Sequence, residues 1–140
     1  MLDLVGRTWE RDVLPSLADY IAIPALSPSF EPGWEALGHL DAAVEHVRSW
    51  MASRPIAGLT VDVHRIPGLT PVVVAVVEAS AGVAPDDTVL LYGHLDKQPP
   101  MDGWREGLGP WDPVLEGDRL YGRGGADDGY AAFASLTAIE

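Results

Sequence analysis

Val89-Leu90-Leu91-Tyr92-Gly93-His94-Leu95-Asp96 is the stretch on which the reading of the chain turns. Its first four residues are apolar and β-prone, which predicts a buried strand, and side chains two apart on a strand leave on the same side. His94 and Asp96 are therefore expected to emerge together where that strand ends. An imidazole beside a carboxylate suits a metal site, because a ligating His commonly gives its second ring N–H to an oxygen acceptor that fixes its tautomer and orientation. Asp96 fits that orienting role, and a strand-end His with satisfied hydrogen bonds would account for the same pair without function.

Composition narrows the chemistry. At 140 residues, 47% of them hydrophobic and 8% aromatic, the chain suits one globular domain and argues against disorder. A formal charge of −12, from 21 acidic against 9 basic residues, excludes nucleic acid and anionic membrane surfaces as natural partners and suits cations. Without Cys there is no disulfide, thiolate nucleophile or zinc–thiolate site, so His and carboxylates must hold any metal. Met1 to Glu10 has neither a basic nor an apolar run, and the longest apolar stretch, Val72 to Val77, is far too short to cross a bilayer. A soluble, cytoplasmic protein without a targeting segment is expected.

Upstream of the His motif, Val13, Leu17 and Tyr20 or Ile21 recur at helical spacing from Trp9, with Pro15 expected to kink the helix and Pro24 to stop it. After a polar connection over Ala25 to Pro32, the stripe Leu37, Leu40, Val44, Val47 and Met51 predicts a second helix, ended by Arg54-Pro55. His39 and His46 lie off that stripe and read as solvated helix histidines rather than a metal pair. Leu59 to Ile66 alternates like a strand with one polar side, carrying a surface His64. Pro67-Gly68 marks a turn, and Val-rich Thr70 to Glu78 predicts a strand buried on both faces. Pro85-Asp86-Asp87 reads as a solvated turn. The order implies an α/β layered sheet with flanking helices, in which ligands gather at strand carboxyl ends.

Downstream, the Pro and Gly density from Lys97 to Gly117 excludes regular structure, and Trp104, Leu108 and Trp111 make that loop the packed rim of a site. Leu120-Tyr121 predicts a short strand, and Tyr130 to Ile139 a buried helix. Between them, Gly122-Arg123-Gly124-Gly125-Ala126-Asp127-Asp128-Gly129 resembles a phosphate loop only in its glycines. Two carboxylates stand where an anion would sit. Neighbouring carboxylates repel unless a cation neutralises them, so the loop favours a metal, although one Asp alone would serve as a helix N-cap.

Tyr92-Gly93-His94-Leu95-Asp96, Pro110-Trp111-Asp112-Pro113 and Leu120 to Asp128 together resemble the M20 metallopeptidases, the dizinc aminoacylase, carnosinase-type dipeptidase and glutamate carboxypeptidase relatives. The helix ending at Ile23-Pro24 extends the likeness across nearly the whole chain. The resemblance implies two divalent metals, zinc with cobalt or manganese as alternatives. It makes His94 a metal ligand and Asp127 the bridging ligand, gives Asp96 the catalytic task of orienting His94, and implies a cis peptide after Asp127. Many members carry Lys-Gly shortly after the bridging Asp where this chain has Asp128-Gly129-Tyr130, which leaves subfamily and substrate open.

The family cleaves peptide or N-acyl amide bonds with metal-activated water, a Glu of a Glu-Glu pair taking the proton. That pair, the other ligands and the lid domain have no counterpart here. Residues 1–140 are accordingly expected to be the N-terminal part of the catalytic domain, inactive alone, with small peptides or N-acyl amino acids as substrates and a homodimer in the full-length protein. The rival expectations are a non-catalytic remnant serving as an interaction module and, from the glycine loop alone, a nucleotide-binding domain.

Overall fold

A computed structural model describes residues 2–83 and 87–140, so the turn expected at Pro85-Asp86-Asp87 lies, in its first two residues, outside the described part. The first helical path starts earlier than the apolar spacing predicts: α1 (Leu2–Thr8) runs into a π-helical turn (Trp9–Val13) and then α2 (Leu14–Ile21). Pro15 lies within this continuous helical path, lacks the N–H that would bond to the preceding turn, and follows directly on the widened π-helical turn. Leu37 does not belong to the second helix. It ends a separate four-residue α3 (Trp34–Leu37) and is exposed, because Gly38, at φ 71, breaks the path before α4 (His39–Ala52).

The core lies between α2, α4 and α5 (Tyr130–Ile139), with Val13, Leu17, Tyr20, Ile21, Leu40, Val47 and Phe133 buried together. Phe133 meets Trp50 edge to face at a centroid distance of 4.7 Å and 67°. His46 is not merely solvated: its Nε2 lies 2.8 Å from Ser16 O and 3.0 Å from Ser16 Oγ, fastening α4 to α2. Of the residues on α5, Phe133 and Leu136 are buried while Tyr130 and Ile139 are exposed, so that helix is covered on one side only.

The sheets are smaller than a layered α/β domain requires. β1 (Leu59–His64) pairs antiparallel with β2 (Val72–Val77) in the register Leu59 to Val77 and His64 to Val72. β1 alternates as predicted, with His64 outward. β2 is not buried on both faces: Val72, Val74 and Val76 are exposed, while α4 packs against the hairpin's other face. Within the loop expected to lack regular structure, β3 (Val114–Glu116) pairs with β4 (Arg119–Tyr121) as a short hairpin. The chain is thus a mixed α/β assembly of helices and two small antiparallel sheets. Among the described residues, no helix is long and apolar enough to cross a membrane.

The main correction concerns the opening stretch. Val89 to Tyr92 forms no strand, and all four side chains are exposed, Leu90 at 89%. A buried central strand needs hydrogen-bonding neighbours along its edges and cover on both faces. Neither is supplied to these residues by the elements described. The segment is tied to the glycine loop at His94, whose N–H donates to Asp128 Oδ2.

Candidate metal centre

The segment after Gly93 is strapped to the end of α2. Lys97 N–H donates to Ala25 O at 2.8 Å and Ser27 N–H to Lys97 O at 2.9 Å, a parallel bridge between Leu26 and Lys97. The Tyr20 hydroxyl, fully buried, donates to Leu95 O at 2.9 Å. Burial, with the charges of Asp96, Asp128 and Asp127 added, pushes the Tyr20 pKa up, so the hydroxyl keeps its proton for that bond.

The glycine loop supplies the facing wall. Gly124 adopts φ 84, a left-handed conformation that glycine reaches without penalty, and a Cβ there would strike the Lys97 stem at 2.7 Å. Gly129 N–H donates to Gly124 O at 2.8 Å, closing the turn that carries Asp127 and Asp128. The Asp127–Asp128 peptide is cis, as the family resemblance implies. Neither Asp caps α5, whose first turn has no side-chain cap. Asp128 Oδ2 instead accepts the His94 backbone N–H at 3.3 Å. Gly93 makes room for this approach, since a Cβ there would lie 2.7 Å from Ala131 Cβ and 3.1 Å from Asp128 Oδ2.

The three residues singled out from the sequence thus meet. His94 Nε2 lies 3.3 Å from Asp127 Oδ1, while Nδ1 lies 3.2 Å from Asp96 Oδ1 and 3.0 Å from the Asp96 carbonyl. Burial alone would lower the imidazole pKa. The Asp96 carbonyl and the carboxylates of Asp96, Asp127 and Asp128 outweigh it and raise the pKa above 6.5.

The spacing fits a tetrahedral metal. Two ligand atoms each about 2.0–2.1 Å from zinc are separated by about 3.3 Å along a tetrahedral edge, and the Nε2–Oδ1 distance matches it. Both side chains are partly exposed, His94 at 33% and Asp127 at 60%, leaving the outer side open to further ligands. Among the described residues no group of three or more His, Asp or Glu converges on one point, so this pair furnishes two donors. Since the Asp96 carbonyl also holds Nδ1, Asp96→Ala is expected to weaken zinc binding by about 10-fold, the low end of the 10–100-fold range for such partners. Isothermal titration would check this, and a loss beyond that range would mean that Asp96 touches the metal itself.

The Trp loop folds back on the same region. Arg123 N–H donates to Pro110 O at 2.7 Å and Arg123 Nε to Pro99 O at 3.0 Å, and Trp104 Nε1 donates to Pro100 O at 2.9 Å. Sequence reasoning missed Lys97, which is 1% exposed. Burial pushes its pKa down to about 7, against the pull of three carbonyl acceptors. The signal available was a lysine directly after His-x-Asp, in a chain with only 9 basic residues.

Residues 90–140 match the family model described as Peptidase family M20/M25/M40. The chain is also similar to two curated succinyl-diaminopimelate desuccinylases. It is 50% identical to that of Gluconobacter oxydans over 48 residues, 33% of this chain and 12% of that protein. It is 41% identical to that of Aromatoleum aromaticum over 61 residues, 42% of this chain and 15% of that protein. The chain thus spans under a sixth of either relative. The His motif and the Asp-bearing turn both fall inside the stretch that is similar to the M20 family.

Proposed function

We propose that the protein is a metal-dependent hydrolase of peptide or N-acyl amide bonds, with His94 and Asp127 as metal ligands and Asp96 orienting His94. The observation that carries this is the imidazole held between two carboxylates, Nδ1 on Asp96 and Nε2 at 3.3 Å from Asp127. Bound divalent metals, zinc in the first place and cobalt or manganese as alternatives, supply Lewis-acid polarisation of a carbonyl and a water of lowered pKa. The chain's own residues do the rest. Asp96 fixes the His tautomer so that Nε2 presents its lone pair, and Asp128 holds the His94 backbone.

The desuccinylase names of both relatives favour an N-acylated amino acid over a plain dipeptide. The reading places the chain as the N-terminal part of a catalytic domain in a cytoplasmic enzyme that dimerises when complete. Two ligands are fewer than the three or four that zinc sites take, so the 140-residue chain is expected to bind zinc weakly and to turn nothing over. Zinc titration followed by tryptophan fluorescence, with dipeptide and N-succinyl amino acid hydrolysis as a parallel assay, tests both halves. Sub-micromolar stoichiometric binding with hydrolysis would overturn the incompleteness. A zinc response unchanged in His94→Ala would overturn the metal role.

One observation favours a second reading. Val89 to Tyr92 and the outer face of β2 leave apolar surface uncovered, as a non-catalytic interaction module would. Self-association or partner capture insensitive to His94→Ala, with no zinc response, would support it.

A further inference from the structure

We infer that Lys97 is a positioning residue of the metal centre, its ammonium anchoring the His94–Asp96 segment to the end of α2 and its stem forming the floor on which Gly124 turns the chain toward Asp127. The inference rests on the metal-centre reading given above.

Lysines are almost never fully buried without a charged partner, and among the described residues no carboxylate pairs with this one. Its partners are carbonyls instead: Nζ donates to Tyr20 O at 2.7 Å, Ile21 O at 3.1 Å and Ile23 O at 2.6 Å. Three N–H donors meet three acceptors, so the ammonium is fully used. Those acceptors stand at the C-terminal end of α2, the negative pole of the helix, where a cation is favoured. The same Nζ lies 4.2 Å from the centre of the Tyr20 ring and 5.3 Å from that of Trp111.

Each contact leads to the site. Tyr20 holds Leu95, the residue between His94 and Asp96, through its hydroxyl. The Lys97 backbone pairs with Ala25 and Ser27. Its stem lies under Gly124, where the turn to Asp127 begins. A helix end needing only a cap is served by a glycine. This cation joins three segments far apart in sequence, and both metal-facing side chains depend on those segments for their spacing.

The experiment compares Lys97→Met, which keeps the stem and removes the charge, with Lys97→Arg, which restores it, in the full chain. Co2+ alone is titrated and followed by its visible absorption, with thermal unfolding recorded in parallel. Lys97→Met is expected to weaken Co2+ binding at least about 10-fold at temperatures where it remains folded, with partial rescue in Lys97→Arg. Equal affinity in wild type and a folded Lys97→Met overturns the inference. No Co2+ binding by wild type overturns the metal-centre reading itself, a distinguishable result. If Lys97→Met does not fold, amide exchange of the wild-type chain with and without zinc decides. Added protection at Ser27 and Lys97 supports the coupling, and protection confined to the His94 and Asp127 segments overturns it.

Discussion

Gly129→Ala is expected to destabilise the chain by about 3 kcal/mol, the upper end of the range for overpacking a filled core. Position 129 has φ −53 and ψ −33, helical values that alanine prefers to glycine, so backbone strain contributes nothing. The cost is steric. An added Cβ would overlap Tyr20 Cε1 and sit 2.7 Å from both Tyr20 Cδ1 and Gly124 O. Tyr20 cannot retreat, being fully buried with its hydroxyl committed to Leu95 O. Gly124 O cannot retreat without breaking its bond from Gly129 N–H. Gly38→Ala makes the contrasting control: at φ 71 with nothing within 4 Å of the new Cβ, only conformational strain of about 1 kcal/mol applies. Denaturant unfolding of both variants separates the two mechanisms. A Gly129→Ala loss no larger than that of Gly38→Ala would show that the Tyr20 ring is not fixed.

Asp127→Ala is expected to leave the fold intact and to weaken zinc binding by more than about 100-fold, beyond the effect of removing an outer partner. Its side chain is 60% exposed and its polar contact is with His94 Nε2, so folding stability should change by no more than about 0.5 kcal/mol. Removing it takes away one of two donors and leaves a His alone, which no structural or catalytic zinc site tolerates. In a longer protein that completes the ligand set, amide hydrolysis should vanish with the metal. Zinc titration and unfolding on the same sample give both numbers. An affinity within tenfold of wild type would remove Asp127 from the ligand set.

The meeting of His94, Asp96 and Asp127 was legible before the fold was. His94 and Asp96 are two apart, and their mutual geometry follows from local chain direction wherever the segment is extended. Asp127 lies in a glycine-dense turn that is visible in residue type. The expected strand at Val89 to Tyr92 was misread for the opposite reason: apolar runs report a demand for burial, and pairing must come from other segments. β2 was misjudged in the same way, its valines marking surface to be covered rather than surface that is covered.

By itself, the sequence excluded thiolate, leaving His and carboxylate as the side chains available to a metal, and determined the amphipathic helices whose spacing survives in α2 and α4. Tertiary structure alone decided that Nε2 and Oδ1 stand 3.3 Å apart, that His46 fastens α4 to α2, and that Lys97 is buried against carbonyls of α2. Periodicity records contacts between residues three or four apart, whereas Lys97 and Tyr20 are 77 apart. A contact at that separation leaves no repeating trace and exists only once the helix end and the glycine turn have packed together.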